Sequence, residues 1–294
     1  VAGNIQELAR AKVNLTLHVG RVITDADRFH GYHPLDSLVV FADIGDVITV
    51  EPADAYSLEI IGPFADALKS EADNLVSRAV RVAAGLIQEG LGKDGNVRVT
   101  LDKRLPVSSG LGGGSADAAA VLRALVPETV PREKLMEVAL SLGADVPACV
   151  MNRTLRMTGI GDSLAAVPGV GSVAAVLANP GVAVSTPEVF RRFDSGGDIR
   201  ETPRPQKHEG NLLARAQDGR NDLEPPAIAR VPEVGELIRD MSAQAGCKLA
   251  RMSGSGASVF GVFGSDAEAK AAAATLLQDG HWAVACRLGE TDDG

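Results

Sequence analysis

The stretch LPVSSGLGGGSADAAAVL, residues 105–122, constrains the fold of this chain more than any other. It follows NVRVTLDKRLP, whose alternation predicts a strand, and leads into an alanine-rich segment that predicts a helix from Ser115 to about Leu125. Between them Gly110, Gly112, Gly113 and Gly114 each cost roughly 0.5–1 kcal/mol relative to Ala in regular structure. What they offer is close approach to the main chain. A glycine turn feeding a helix presents unpaired N–H groups at the positive end of the helix dipole, an anion site with phosphate as its natural guest. Two familiar phosphate loops do not fit. No Lys follows Gly114 as GxxxxGK[ST] requires, and Ser115 stands where GxGxxG needs its third glycine. Taken alone, the loop is equally a helix entry whose glycines serve tight packing.

Around this loop the chain reads as strands and helices. In AKVNLTLHV, Val13, Leu15, Leu17 and Val19 share one face and Lys12, Asn14, Thr16 and His18 the other, which predicts a strand with one polar side. LDSLVVFADIGDVITVEP and YSLEIIG predict further strands. DNLVSRAVRVAAGLIQEGLG predicts a helix capped by Asp73, and PREKLMEVALSLG another, with Pro131 in its first turn and Gly143 at its stop. The second half gives strand SVAAVLA, helices TPEVFRRF and PEVGELIRDMSAQAG, strands LARMS and SVFGVF, helix DAEAKAAAATLLQDG and strand WAVACRL. That order suits a small antiparallel sheet backed by helices. DSGGDIRETPRPQKHEGN reads as a mobile surface loop. A chain of 294 residues is expected to form two domains, 1–157 and 158–294, of the α+β class.

Composition narrows the function. A net charge of −9 opposes nucleic-acid binding. No apolar run approaches the about 18 residues of a membrane span, and VAGNIQELARAKVNL lacks the basic-then-apolar order of a signal peptide. Cys149, Cys247 and Cys286 are odd in number and form no CxxC pair, which argues against a disulfide framework and a zinc site. A cytoplasmic protein with a small-molecule partner is the expectation.

With ARAKVNLTL near the start and MSGSGASVF late in the chain, the glycine stretch closely resembles the ATP-binding motif of the GHMP kinases, the superfamily of galactokinase, homoserine, mevalonate and phosphomevalonate kinases. Arg10 replaces the Pro of the family's PxAKxNLxL. HGYHPLDSLVVFADIGDVI, DNLV, GADVPACV and NDLEPPA resemble the members whose alcohol is a cytidine-diphosphate-linked methylerythritol; the matches run from about residue 9 to residue 263. The resemblance implies an N-terminal ribosomal-protein-S5-like ATP-binding domain, a C-terminal ferredoxin-like α/β sandwich, and an active site in the cleft between them. It implies ATP and Mg²⁺, and phosphorylation of the substrate's 2-hydroxyl in the non-mevalonate isoprenoid precursor pathway. It also implies no nucleic-acid or membrane partner, and a monomer or weak homodimer.

Roles carry over residue by residue. The resemblance gives the amides of Gly110, Leu111, Gly112, Gly113, Gly114 and Ser115 to the ATP phosphates, so that a side chain on Gly113 would take space a phosphate needs. The Ser115 hydroxyl would reach the metal or a phosphate oxygen; its plainer role is to cap the helix. Asp145, which GADVPAC is expected to carry from a helix into an extended segment, becomes the general base, although a lone Asp there is commonly a turn former. Lys12, on a strand face with Asn14, is placed beside Asp145 and the substrate hydroxyl, where its charge keeps the carboxylate ionised and favours alkoxide-like charge. Without the family, Lys12 is a solvent-facing strand residue. His33 would hydrogen-bond the cytosine, Tyr32 would stack on it, and Thr186 and Phe190 would close the pocket's substrate side. Gly254, Ser255 and Gly256, otherwise a hairpin turn, would pack against the ATP-binding glycines and face the diphosphate. Asn74 and Lys103 would lie near the adenine; otherwise they are a helix N-terminal residue and a strand-end charge.

The chain departs from the pattern where Asn152 and Arg153 replace two glycines and Asp162 replaces a Glu, which puts the local backbone at issue. Two other readings stand beside the leading one. A GHMP kinase for homoserine or a mevalonate derivative would lack a use for Tyr32 and His33. A non-catalytic ligand sensor on the same fold would lack a use for Lys12 and Asp145.

Overall fold

The computed structural model describes residues 3–25, 29–68, 74–87, 96–196, 199–203 and 209–290, and in it the alternating segments become strands wherever a partner strand continues. β1 (Ile5–Asn14), β2 (His18–Val19), β3 (Leu35–Pro52) and β4 (Ser57–Ile61) come first. The AKVNLTLHV strand is broken between β1 and β2 because Leu17 finds other partners: its N–H donates to the Arg220 carbonyl and its carbonyl accepts from Asp222 N–H, both at 2.8 Å. The polar side of this strand is not wet. Lys12, Asn14, Thr16 and His18 are each at most 4% exposed.

Helix α1 (Leu75–Leu86) is capped by Asn74, whose side chain accepts from Val76 N–H at 2.8 Å, while the expected cap, Asp73, lies outside the described residues. β5 (Val97–Asp102), α2 (Gly113–Leu125), α3 (Arg132–Leu142) and α4 (Val146–Met151) follow. α4 corrects an expectation. The segment after Asp145 is helical rather than extended, since Pro147 falls in the first turn, where a helix needs no N–H. Asn152 ends α4 at φ 48°, a left-handed position for which Asn is the best substitute after glycine. That accounts for a glycine's replacement there.

β6 (Leu155–Gly159) and β7 (Ser163–Ala166) pair as an antiparallel hairpin that the sequence reading lacked. β8 (Ser172–Asn179), α5 (Thr186–Asp194), α6 (Leu212–Asp218), α7 (Glu224–Arg230), α8 (Pro232–Ala243), β9 (Cys247–Met252), β10 (Val259–Phe263), α9 (Asp266–Gln278) and β11 (Trp282–Gly289) complete the described chain. Of the expected loop at 194–211, residues 197–198 and 204–208 lie outside the described residues.

Two compact units result. The first comprises Val1–Ala11, Ile44–Val107 and Gly112–Asn152; the second comprises Lys12–Asp43, Ser108–Leu111 and Arg153–Gly294. The units interleave along the chain, unlike the single cut after residue 157, because β1 and β3 each pass from one to the other. In the first unit β5 lies between the end of β3, antiparallel from Val47 opposite Asp102 to Pro52 opposite Val97, and β4, parallel. α1 and α4 pack on α2, and α3 on α4. In the second unit β11, β8, β10 and β9 lie in that order, each antiparallel to its neighbour. With helices between β8 and β9 and α9 between β10 and β11, this is the β-α-β-β-α-β ferredoxin-like arrangement. Val176, Leu237, Met241, Val259, Phe263 and Leu276 are among its core residues, 4% exposed or less. Among the described residues no helix is long and apolar enough to cross a membrane.

Candidate active site

The glycine loop gives its residues different tasks. Gly112 is the N-cap of α2 at φ 63°, a left-handed conformation that leaves no side chain to cap the helix. The first helical bond runs from Ala116 N–H to the Gly112 carbonyl at 2.8 Å, so the amides of Gly113, Gly114 and Ser115 have no partner within the helix. Ser115 sits third in α2, half-buried, and is not the cap. Among the described residues, a Cβ at Gly114 would meet only Leu75 Cδ1, at an ordinary 3.5 Å. A Cβ at Gly113 would stand 3.0 Å from Lys103 Nζ and 3.5 Å from Asp46 Oδ2. A side chain on Gly113 thus meets a buried ion cluster of the protein itself.

That cluster is a buried lysine shared by two aspartates of the first unit. Lys103 Nζ donates to Asp46 Oδ2 at 2.5 Å and Asp117 Oδ2 at 2.7 Å, and the other Asp46 oxygen accepts from Arg104 and Leu105 N–H at 2.6 and 2.8 Å. All three side chains are at most 3% exposed. Asp117 Oδ1 is buried with no hydrogen-bond partner among the described residues. Burial pushes Asp117 up to about 8; Lys103 opposes that rise, and the Asp46 charge adds to it. Burial alone would lower the Lys103 ammonium, but Asp117 and Asp46 outweigh it and hold its pKa above the ordinary value. The Lys103 ammonium is thus turned onto carboxylates, and the Asn74 side-chain oxygen onto its helix. Asp117 and Asp46 were not singled out from sequence. Their signal was a lone acid inside SADAAAVL and one of the two acids, Asp43 and Asp46, inside the largely apolar strand FADIGDVITV. Asp145, half-buried, precedes α4 at φ −86° and ψ −15°, and its side chain makes no capping bond to that helix.

The second unit gathers the remaining residues around the SGSGA turn. Lys12 N–H donates to the Leu111 carbonyl at 2.8 Å. Ser253 Oγ accepts from Asn14 N–H at 3.1 Å and donates to the Gly110 carbonyl at 3.0 Å, and Ser258 N–H donates to the Ser109 carbonyl at 2.8 Å. Asn14 Nδ2 donates to Ser37 Oγ at 2.7 Å. Gly110, at φ 78°, has no room for a Cβ, which would lie 2.5 Å from the Ser253 carbonyl oxygen. The turn at 253–256 thus packs on the first glycine of the loop. Thr186 Oγ1 and Ser255 Oγ are 2.7 Å apart, joining the start of α5 to the same turn. One helical turn on, Phe190 lies with its ring centroid 4.8 Å from that of His33, tilted by 31°. His33 Nδ1 lies 2.9 Å from the Gly20 carbonyl oxygen and Nε2 3.4 Å from Asp194 Oδ2. Tyr32, beside it, is 51% exposed.

Comparison with known proteins bears on this arrangement. Residues 74–153 match the GHMP kinases N terminal domain, and residues 207–281 match GHMP kinases C terminal. A 4-diphosphocytidyl-2-C-methyl-D-erythritol kinase from Cereibacter sphaeroides is 46% identical over 293 residues, 96% of this chain and 99% of that protein. The crystal structure of a 4-(cytidine 5'-diphospho)-2C-methyl-D-erythritol kinase is 36% identical, covers 97% of this chain and 100% of its own, and superimposes with a TM-score of 0.77. The crystal structure of a homoserine kinase from Cytophaga hutchinsonii, 16% identical with a TM-score of 0.61 over 96% of this chain and 95% of its own, shares the fold alone. With two GHMP kinase domain matches and near-complete coverage at these identities, the chain belongs to the 4-diphosphocytidyl-2-C-methyl-D-erythritol kinase family of GHMP kinases.

Proposed function

We propose that this chain transfers a phosphoryl group from ATP to the 2-hydroxyl of 4-diphosphocytidyl-2-C-methyl-D-erythritol, a step of the non-mevalonate isoprenoid precursor pathway. As a member of this family the chain is an ATP-dependent small-molecule kinase. The observation that carries the reading is the first turn of α2, where Gly112 leaves three successive amides without a side-chain cap. Such a turn suits the β- and neighbouring phosphates of ATP. In this reading the segment from Gly110 to Ser115 holds the nucleotide, and Asn74 and Lys103 shape the adenine side. Asp145 takes the hydroxyl proton, and Lys12 supports the charge that develops on the attacking oxygen. Asn14, Gly254, Ser255, Gly256 and Thr186 contact the alcohol and its diphosphate, while Tyr32, His33 and Phe190 hold the cytosine.

Mg²⁺ fits this site as a partner of the nucleotide. No group of three His, Cys, Asp or Glu side chains among the described residues is arranged to hold a metal, and Mg²⁺ characteristically takes one or two protein ligands beside substrate phosphates. The Ser115 hydroxyl is the protein ligand this reading names, and the ion would neutralise phosphate charge. The reading divides the chain into an ATP-binding domain, 1–157, and a C-terminal domain, 158–294. A cytoplasmic location, with no nucleic-acid or membrane partner, belongs to it, supported by the acidic net charge and by three cysteines that are free thiols. Exposed Leu8, Ile61, Leu140 and Leu277 lie on four different elements, which supports a monomer or weak homodimer.

The test is a coupled assay of ADP release with the cytidyl alcohol, homoserine and mevalonate as acceptors. Turnover is expected with the first alone. Faster turnover with homoserine or mevalonate would overturn the substrate, and release with none would overturn the kinase.

A further inference from the structure

The SGSGA turn is held by the first residue of NDLEPPA, to which no role has yet been given. Asn221 is 4% exposed, and each polar atom of its carboxamide is used. Nδ2 donates to the carbonyls of Met252 and Gly254, both at 2.8 Å, and Oδ1 accepts from Leu223 N–H at 2.9 Å. Glu224 Oε2 secures the other side of the first of these residues by accepting from Met252 N–H at 2.8 Å. Asn221 itself is fixed by the bonds that Arg220 and Asp222 make with Leu17 on either side of it.

The consequence lies in the peptide plane. A trans peptide sets the N–H of one residue opposite the carbonyl of the residue before it. With the Gly254 carbonyl drawn into the protein by Asn221, the Ser255 N–H is aimed away from Asn221. Gly254 and Ser255 are both half-exposed, and the Ser255 N–H donates to no described residue. We infer that Asn221 is a positioning residue for the alcohol substrate, which by holding the Gly254 carbonyl aims the Ser255 N–H at the substrate's diphosphate. The inference rests on the proposed substrate. A carboxamide is the one neutral group of this size with two donors and an acceptor in a plane; an Asp here would set a carboxylate against two carbonyl oxygens.

The test titrates cytidine 5'-diphosphate and cytidine separately into the full chain by calorimetry. Wild type should bind the diphosphate more tightly; if it binds neither, the proposed substrate falls, and this inference with it. Asn221→Ala should weaken cytidine 5'-diphosphate about tenfold, near the low end for a hydrogen bond to a charged group, and leave cytidine within twofold. A merely structural role would weaken both ligands alike, and that outcome, or an unchanged diphosphate affinity, would overturn the inference while the substrate stands. Should Asn221→Ala fail to fold, an amide-to-ester replacement between Gly254 and Ser255 puts an ester oxygen, which cannot donate, in place of the N–H. The same selective loss is expected there, and its absence refutes the role.

Discussion

Replacing Asp117 with Asn tests whether the buried cluster behind the glycine loop carries one charge more than it can support. Two carboxylates share one ammonium, and one oxygen of Asp117 has no hydrogen-bond partner among the described residues. The sign follows from linkage. Asp117 binds its proton with a pKa of about 8 in the native protein, against about 3.9 in an unfolded chain. Between those values the native state holds more protons than the unfolded state, so stability falls as pH rises, by at most about 1.4 kcal/mol per pH unit from this group. Below about pH 4 both states are protonated and above about pH 8 both are ionised, and there the slope vanishes.

Asn cannot titrate. Its carbonyl oxygen keeps the bond from Lys103, and its NH₂ takes the place of the oxygen that lacks a partner. An unpaired NH₂ costs about 1–3 kcal/mol, but at every pH alike, so the slope is the signature rather than the absolute stability. Measured by urea unfolding from pH 5 to pH 7, the stability of Asp117→Asn relative to wild type should rise by about 1–3 kcal/mol. Parallel pH profiles would refute the reasoning, since Asp117 would then be ionised throughout and Lys103 would be satisfying both carboxylates.

Three other outcomes are expected. Gly113→Ala should destabilise the protein, because its Cβ must displace Lys103 Nζ from 3.0 Å, whereas Gly114→Ala should leave stability unchanged or higher and still weaken ATP by about tenfold or more if phosphates approach those amides; unfolding curves and ATP titrations of both decide it. Tyr32→Ala should weaken the cytidyl alcohol by about 1–3 kcal/mol with ATP binding unchanged, read from Michaelis constants for each substrate. Asp145→Asn should lower turnover by roughly 10²-fold or more, and adding Lys12→Met should cost much less than the product of the two single effects; full multiplicativity in steady-state rates would show that the two residues do not act together.

The strand and helix order was readable because burial imposes a period on sequence. β3, α3 and the β-α-β-β-α-β order of the second unit all follow from it. What escaped was set by partners far along the chain. Lys12, Asn14, Thr16 and His18 alternate as a wet strand face would, yet they are buried, and nothing local records that. The break after Asn14 likewise depends on Arg220 and Asp222, more than 200 residues away in the chain. α4 is six residues long, too short for a period to declare itself, and Pro147 reads equally well as helix start or helix stop. Asn221 bonds Gly254 in the SGSGA turn and Met252 just before it, but in NDLEPPA its neighbours suggest only a helix beginning.

The glycines show how far a motif's letters underdetermine its physics. GLGGG invites one explanation for four residues, and the structure requires several. Gly110 is glycine because the carbonyl of Ser253 occupies the place of a side chain, and Gly112 because α2 is entered from the left-handed region. Gly113 is glycine because the Lys103 ammonium, drawn to two buried acids, leaves about 3 Å for a carbon. At Gly114 a methyl group would touch, among the described residues, nothing but Leu75 at ordinary distance, and its helical backbone favours Ala over Gly by about 1 kcal/mol. The fold therefore accounts for the first three and gives no reason for the last. A glycine that the described packing does not require agrees with the proposed reading, in which the first turn of this uncapped helix receives a phosphate.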